Sequence, residues 1–263
     1  MIVAGVDIGS VATKAVVLED GQVVGKAVAR TGIDHPEVGR EVLESALAQA
    51  GTTREVVRRV VTTGYGRRSA KLGAGVVTEI TTAGRGAWAL GAPWGSVRTV
   101  VDLGGQDSKV ILLDESGAVA DFAMNDKCAA GTGRFLEVMA GVLRVTLEEM
   151  GELSLRATDP VTINATCAVF AESEVVSLIA QGRGPADILA GVHNAIASRL
   201  TSMVRQLDGD RVLFVGGGAR NQGVRKALED TLGREVHVPA DPEFVVALGA
   251  ALIAADQLTR QSG

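Results

Sequence analysis

The sequence predicts an α/β fold in which two related lobes face each other across a cleft. The first observation is an internal repeat: VDIGSVATKAVVLEDGQVV, which begins at Val6, returns as VDLGGQDSKVILLDESGAV from Val101. The second is that each copy alternates apolar and polar residues, as strands do, and is followed by a stretch with helical periodicity. A repeat this long is not that of a solenoid, so we expect two lobes rather than a stack of small units.

Each copy predicts the same order of elements: a strand, an Asp-x-Gly turn, a second strand, a polar turn and a third strand. The helix after the first copy is EVGREVLESALAQAG, and the helix after the second is GRFLEVMAGVL. A further apolar strand at 212–215 precedes a helix that begins at about Gln222. The predicted domains are residues 1–95, closed by a C-terminal helix at 247–263, and residues 96–246.

The composition limits the classes of function. The 263 residues are 46% hydrophobic, which is enough for a large core, and the net charge of −5 argues against a nucleic-acid partner. No uninterrupted apolar run reaches the roughly 18 residues that span a bilayer. The N-terminal MIVAGVDIGS lacks the basic residues that open a signal peptide, and two cysteines are too few for a disulfide framework. We therefore expect a cytoplasmic protein with neither membrane nor nucleic-acid partners.

The repeated turn has the chemistry of a phosphate site. Three residue types recur at equivalent positions of the two copies: Asp7 and Asp102, Gly9 and Gly104, Lys14 and Lys109. Glycine on a tight turn lets backbone N–H groups approach phosphate oxygens, and a nearby aspartate can hold magnesium, usually through water. One such turn alone is typical of an ordinary hairpin. Two turns with an aligned lysine favour a nucleotide whose phosphates are held from both lobes.

A third glycine cluster follows the strand at 212–215, in VLFVGGGARNQG. Glycines at a strand end suit close packing against a flat ring such as adenine, although a plain strand-to-helix turn has the same composition. The sequence contains neither the G-x-G-x-x-G dinucleotide fingerprint nor a P-loop. Two phosphate turns followed by an adenosine segment resemble the superfamily of actin, sugar kinases, acetate kinase and heat-shock chaperones. That resemblance implies actin-like, ribonuclease H-like lobes and a nucleotide in the cleft.

The two cysteines stand in similar settings. Cys128 comes just before AAGTGRFLEV, and Cys167 comes just before AVFAESEVVSL. Helix N-termini stabilise anions, so both are candidates for thiolates that ligate a metal. A cubane iron–sulfur cluster takes four cysteines, which two copies of this chain would supply. A zinc site of four thiolates meets the same count, and a small buried hydrophobic residue is the ordinary alternative for each cysteine.

Four segments resemble one family. They are NDKCAAGTGRFLEVMA, CAVFAESEVVSLIAQG, VDLGGQDSKV and TTGYGR, and together they are similar to the activators of 2-hydroxyacyl-CoA dehydratases in the BadF/BadG/BcrA/BcrD ATPase family. The resemblance runs from about Ile2 to Leu252. It implies an oxygen-sensitive homodimer with ATP or ADP and Mg²⁺ in each cleft and one 4Fe-4S cluster between the subunits, ligated by Cys128 and Cys167. A ferredoxin or flavodoxin would supply the electron, and an iron–sulfur dehydratase or reductase would accept it.

The resemblance also implies the residues of the nucleotide site. Asp7, Asp102 and Asp107 are predicted to handle the metal ion and the attacking water, without a division of roles among them. The remaining predicted contacts lie on the two loops and the adenosine segment: Ser10, Val11, Ala12, Thr13, Lys14, Gly104, Gly105, Gln106, Gly216, Gly217 and Asn221. Two positions depart from the family pattern: Val11 replaces a threonine, and Val245-Val246 replaces Asn-Gly.

Three other functions stay open. A reductase component for another acceptor, such as an aryl-CoA reductase or a double-cubane protein, has the same sequence features. A small-molecule kinase of the same fold would make the cysteines incidental. A nucleotide-dependent conformational switch would need a peptide-binding segment, for which the chain leaves little room. The histidines, His35, His193 and His237, are scattered and predict surface or capping roles.

Overall fold

The computed structural model describes residues 1–72, 75–95, 97–164, 167–207 and 211–262. The chain separates into two compact units. The first comprises residues 1–98, 113–120 and 243–263, and the second comprises residues 99–112 and 121–242. Each unit contains a five-stranded sheet with helices, which confirms the predicted α/β class.

The sheet of the first unit has the strand order β3-β2-β1-β4-β5. Its strands are β1 (Ile2–Ile8), β2 (Ala12–Glu19), β3 (Gln22–Arg30), β4 (Arg59–Thr63) and β5 (Gly75–Val76). Its helices are α1 (His35–Gln49), α2 (Glu79–Gly91) and α8 (Val245–Ser262). β1 is buried along nearly its whole length, because helices cover the sheet on both faces.

The helix boundaries of the first unit follow from local chemistry. The Asp34 carboxylate accepts a hydrogen bond from the backbone N–H of Glu37, and proline follows in the first turn, so α1 begins at His35. Thr78 caps α2 in the same way through the N–H of Thr81. α1 packs its apolar stripe against β2 and β3. The C-terminal helix predicted at 247–263 is α8, and Gly263 lies outside the described residues.

α8 is a core helix of the first unit. Among the described residues, the segment Pro242–Gln261 is long and apolar enough, by length and composition alone, to cross a membrane. Half of it is buried inside the protein. Its small residues Ala247, Ala250 and Ala254 are fully buried and pack with Val3 and Val61 of the sheet. Its apolar surface is therefore used to cover the sheet.

The sheet of the second unit has the order β10-β9-β6-β7-β8. Its strands are β6 (Thr99–Leu103), β7 (Ser108–Leu113), β8 (Val119–Asn125), β9 (Val212–Val215) and β10 (Val236–His237). Its helices are α3 (Gly133–Leu143), α4 (Leu147–Ser154), α5 (Ala168–Ala180), α6 (Pro185–Gln206) and α7 (Gln222–Leu232). Phe135, Met139 and Phe214 are fully buried in its core.

The sequence repeat is also a structural repeat. β1 pairs antiparallel with β2 and parallel with β4, while β6 pairs antiparallel with β7 and parallel with β9. In register, Asp7 lies opposite Lys14 and Asp102 lies opposite Lys109. The predicted helix GRFLEVMAGVL coincides with α3, and the helix predicted from Gln222 is α7. The repeated Asp-x-Gly motif thus forms the same turn in both units.

Candidate functional site

The first predicted phosphate loop joins β1 to β2. Asp7, near the end of β1, is almost fully buried, and its Oδ2 lies 3.2 Å from the Nζ of Lys14 across the strand pair. The lysine matches the charge of this carboxylate at the base of the loop. Ser10 and Val11 lie on the turn and Ala12 begins β2, and all three residues are half-buried.

The loop is held from below by Thr31, which sequence reasoning missed. The Thr31 hydroxyl donates to the Gly9 carbonyl at 2.7 Å, and its backbone N–H donates to the Val11 carbonyl at 3.0 Å. Because that hydroxyl proton points to Gly9, the Thr13 hydroxyl is the donor in the 3.0 Å contact between the two threonines. Thr13 is fully buried and lies in β2 between Ile8 of β1 and Ala29 of β3, so neither its side chain nor its backbone is accessible for the predicted nucleotide contact.

The TTGYGR segment lies beside the first loop. It continues from β4, which pairs in parallel with β1, so the carboxyl ends of the two strands are neighbours. Gly64 has a φ of +91°, and a Cβ there would lie 2.5 Å from Asp7 Oδ1. Only glycine suits this backbone conformation and this close approach. The glycine of this motif therefore allows the loop after β4 to lie in close contact with Asp7. Sequence periodicity does not predict this contact.

The second predicted phosphate loop joins β6 to β7 and carries a different charge pattern. The Nζ of Lys109 lies 2.7 Å from Asp107 Oδ1 and 3.9 Å from Asp102 Oδ2. The Gly104 N–H donates to the Asp107 carbonyl at 3.0 Å and closes the turn. Ala12 occupies the position in the first loop that corresponds to Asp107. The second loop therefore places two carboxylates around one lysine, whereas the first loop has one of each.

The glycines of the predicted adenosine segment lie against the end of β6. Gly216 has a φ of +85°, and a Cβ there would lie 2.4 Å from Asp102 Oδ1. Its N–H donates to the Pro242 carbonyl at 2.9 Å. Apart from its chain neighbours, the described residues place no atom within 4 Å of the position that a Cβ of Gly217 would take, so this face of the turn is open. Within the second unit, the structure thus brings Asp102, Gly216 and Gly217 together.

Asn221 serves the fold with both ends of its side chain. Its Oδ1 accepts from the Val224 N–H at 3.1 Å and caps α7, and its Nδ2 donates to His193 Nε2 at 3.3 Å. Both residues are buried. The side chain therefore shapes the adenosine segment from beneath, and the sequence showed the asparagine but not this geometry.

His193 corrects the expectation of a surface or capping histidine, because it is only 1% exposed. Since Nε2 accepts from Asn221, the ring is neutral and carries its proton on Nδ1, for which the described residues provide no hydrogen-bond partner. Burial lowers the pKa of His193 to about 4. His193, in the middle of α6, is thus neutral and accepts a hydrogen bond that holds the Asn221 side chain in place.

The cysteines lie in the second unit, near neighbouring helices. Cys167 is exposed and is the N-cap residue of α5, as predicted. Cys128 is half-buried and precedes a 3₁₀ turn, Ala129–Gly131, rather than α3 itself. Thr132 is extended, with φ −135° and ψ 169°, and separates the turn from α3, so Cys128 does not lie at the N-terminus of the predicted helix GRFLEVMAGVL. α3 and α5 pack against each other.

Asn125 fixes the backbone on both sides of Cys128. Its Oδ1 accepts from the Cys128 N–H at 3.2 Å, and its Nδ2 donates to the Cys128 carbonyl at 2.9 Å. The segment before Cys167 is held from α5, where the Glu174 carboxylate accepts from the Asn164 backbone and side-chain amides. Cys128 thus lies on backbone that side-chain hydrogen bonds hold in place.

α5 exposes an apolar face beside Cys167. Val169 and Phe170 are 68% and 70% exposed, and Val176 and Ile179 also face solvent. Only Ala171 and Val175 of this helix are fully buried. Large apolar side chains exposed in one region are typical of an association surface. Within the described residues, no group of three or more His, Cys, Asp or Glu side chains could hold a metal ion, so one chain offers two thiols and no more.

The chain is similar to known proteins over nearly its whole length. A model of the BadF/BadG/BcrA/BcrD ATPase family matches residues 4–254. The activator of lactoyl-CoA dehydratase from Anaerotignum propionicum is 43% identical over 97% of each chain. The 2-hydroxyisocaproyl-CoA dehydratase activator from Clostridioides difficile is 41% identical over 98% of this chain and 96% of its own.

The fold agrees with a solved structure of this kind. The activator of the 2-hydroxyisocaproyl-CoA dehydratase from Clostridium difficile, with bound ADPNP, superposes with a TM-score of 0.94. It is 40% identical, and the match covers all of this chain and 97% of that one. The predicted resemblance and the actin-like fold class are confirmed by these matches.

Proposed function

The chain belongs to the BadF/BadG/BcrA/BcrD ATPase family, and on that premise we propose that this ATPase activates a 2-hydroxyacyl-CoA dehydratase by ATP-dependent one-electron transfer. Two copies of the chain hold one 4Fe-4S cluster, and each binds ATP with Mg²⁺. The observation that carries the proposal is the exposed Cys167 thiol at the N-cap of a helix with an exposed apolar face.

The nucleotide part of the proposal is supported by the two loops. Backbone N–H groups of Gly105 and Gln106 on the second loop, and of Ser10 and Val11 on the first loop, are the groups that would bind phosphate. The open face of Gly217 beside Asp102 suits the adenosine. ATP reacts with water to give ADP and phosphate, and the family of ATPases to which the chain belongs supports this hydrolysis.

The donor set fits a magnesium ion on the second loop. The Nζ of Lys109 lies 2.7 Å from Asp107 Oδ1 and 3.9 Å from Asp102 Oδ2, so two carboxylates lie close together on the second loop, whereas the first loop has Asp7 alone. Carboxylate oxygens are the ligands that Mg²⁺ prefers, and the ion neutralises phosphate charge when bound. Asp102 and Asp107 are therefore the residues that would hold the metal.

The donor set also fits a cluster shared between two chains. Two thiols per chain give four per pair, the number that a 4Fe-4S cluster takes. Such a cluster accepts and releases one electron. Cys128 and Cys167 supply the thiolates, Asn125 holds the backbone of Cys128, and the apolar side chains of α5 exclude water from the interface.

With a cluster bound, a reduced ferredoxin or flavodoxin would supply the electron and an iron–sulfur dehydratase would accept it. ATP and ADP shift the chain between two conformations, and the difference in their affinity for the two states is the free energy that coupling can use. Neither cysteine forms a disulfide bond, which is consistent with the reducing cytoplasm as the compartment.

Activation of a dehydratase is the direct test. The 2-hydroxyisocaproyl-CoA dehydratase of Clostridioides difficile, separated from its own activator, is mixed without oxygen with this chain, dithionite and ATP. Dehydration is expected only when chain, reductant and ATP are all present, and ADP does not replace ATP. A chain that contains no iron and transfers the γ-phosphoryl group to an organic acceptor would instead be a kinase.

A further inference from the structure

The second phosphate loop caps α3. The Gly133 N–H donates to the Gly104 carbonyl at 2.8 Å, and the Arg134 N–H donates to the Gly105 carbonyl at 2.8 Å. The first N–H groups of a helix have no partner inside the helix and are usually satisfied by the N-cap side chain. Here Thr132 makes no such bond, because its hydroxyl donates to the Ala129 carbonyl at 2.8 Å. The loop has taken the place of the N-cap side chain.

The contact depends on a glycine at the start of the helix. A Cβ on Gly133 would lie 3.0 Å from the Gly104 carbonyl oxygen and 3.3 Å from the Gly105 Cα. These distances are shorter than ordinary van der Waals contacts, so a side chain there requires the loop and the helix start to separate by a few tenths of an ångström. Gly141, in the same helix, has no atom within 4 Å of its Cβ position. α3 is therefore tightly seated on the loop at one end only.

The same segment leads to Cys128. Thr132 is fully buried and ties back to Ala129 through both its hydroxyl and its N–H, at 2.8 and 3.0 Å. Ala129 follows Cys128 directly, and Asn125 holds the Cys128 backbone on its other side. A continuous set of hydrogen bonds thus connects the phosphate loop to the cysteine.

The planarity of the peptide bond gives this connection a direction. The Gly104 carbonyl and the Gly105 N–H belong to one rigid peptide unit, and the Gly105 carbonyl and the Gln106 N–H belong to the next. A phosphate oxygen that accepts from these N–H groups fixes the plane of both units. It thereby also fixes the two carbonyls that cap α3. When the phosphate is lost, the two peptide units can rotate, and the hydrogen bonds that they accept from the first turn of α3 weaken.

We propose that these two peptide units transmit the nucleotide state of the second loop to Cys128, with Gly133 as the positioning residue. The inference rests on the proposed function in one respect, namely that Gly105 and Gln106 bind phosphate. It does not require iron. Because the cap tightens when phosphate is bound, the Cys128 thiol becomes less accessible in the nucleotide complex.

The test follows Cys128 by its rate of alkylation with iodoacetamide in the full-length, iron-free chain. Cys167→Ser leaves one thiol, and the rate is measured with and without Mg²⁺-ADPNP. We expect the nucleotide to slow labelling about fivefold or more. Gly133→Ala is expected to reduce the ratio to less than about twofold at saturating nucleotide, and Gly141→Ala is expected to keep it. An unchanged ratio in Gly133→Ala, or no nucleotide effect in the parent, overturns the proposal.

Hydrogen exchange of the unsubstituted chain provides a second readout if Gly133→Ala does not fold. The amides of Gly133 and Arg134 are expected to exchange more slowly with ADPNP bound, and equal rates contradict the proposal. The outcome is separable from that of the proposed function. If the chain never binds iron but nucleotide still slows the labelling of Cys128, only the redox proposal is contradicted. If the chain assembles the cluster but nucleotide does not change the labelling rate of Cys128, only the proposed coupling is contradicted.

Discussion

The hydroxyl of Thr31 donates to the carbonyl of Gly9 at 2.7 Å and so supports the first phosphate loop from within the protein. Thr31→Val keeps the shape and removes this donor, together with the acceptor for Thr13. The buried Thr13 hydroxyl then loses its acceptor and the half-buried Gly9 carbonyl loses its donor, which costs about 1–3 kcal/mol each at most. We expect a lower free energy of unfolding in urea and weaker ATP binding, measured by calorimetry. Thr31→Ser retains the hydroxyl and is the matched control, so equal losses in the two variants would contradict this role.

Lys109 and Lys14 are expected to differ in their importance for stability. Lys109→Met removes a buried cation from between Asp102 and Asp107, whereas Lys14→Met removes the partner of one carboxylate. Breaking a buried ion pair from one side typically costs about 3–5 kcal/mol, and less where water reaches the group. We expect Lys109→Met to lower the free energy of unfolding more than Lys14→Met.

Magnesium provides the control for that comparison. If Asp102 and Asp107 hold the ion, millimolar MgCl₂ should restore part of the stability of Lys109→Met, because the cation replaces the lost lysine charge. The same salt should have a smaller effect on Lys14→Met. Thermal unfolding with and without MgCl₂ measures both effects, and an equal response of the two variants would place the metal elsewhere.

The stability of the protein should fall in mild acid because of His193. Its pKa is lowered by burial to about 4, whereas a histidine in the unfolded chain has a pKa of about 6.5. As the pH falls below about 6.5, the unfolded state takes up a proton that the folded state does not. The contribution is therefore intact above pH 6.5 and is lost progressively down to about pH 4, by about 3 kcal/mol in total.

His193→Gln isolates this contribution. Glutamine retains an acceptor for the Nδ2 of Asn221 but does not titrate. Urea titrations at pH 7 and pH 4.5 measure the unfolding free energies of the original protein and of the variant. The original protein should lose more of its unfolding free energy than the variant between pH 7 and pH 4.5. If the difference is the same at both values, His193 does not titrate as its burial requires.

The repeat allowed much of the fold to be predicted. Alternating apolar residues predicted the strands. The second copy, from Val101 to Val119, predicted that the second sheet is of the same kind as the first and has its elements in the same order. The helix starts at His35 and Gln222 follow from capping residues that the sequence displays. The 3₁₀ turn after Cys128 was not predicted, because its end is set by the contact of Gly133 with a distant loop rather than by local sequence.

The candidate site was predicted in part, for a similar reason. Asp7 and Asp102 lie in a repeated motif and can be found by comparing the two copies. Thr31 and His193 cannot, since each acts through a hydrogen bond to a residue far away in the sequence. The exposed face of α5 also escaped prediction, because an evenly apolar sequence does not show which side is buried. Hydrophobic periodicity does not show contacts between residues that are far apart in the sequence.

Iron content per chain tests the central claim most directly. The protein is reconstituted without oxygen with iron and sulfide, separated by size, and assayed for iron, sulfide and mass in solution. The account predicts about four iron and four sulfide per pair of chains, and neither Cys128→Ser nor Cys167→Ser should retain this complement. A monomer without iron, or a cluster that persists when Cys128 is replaced, would contradict it.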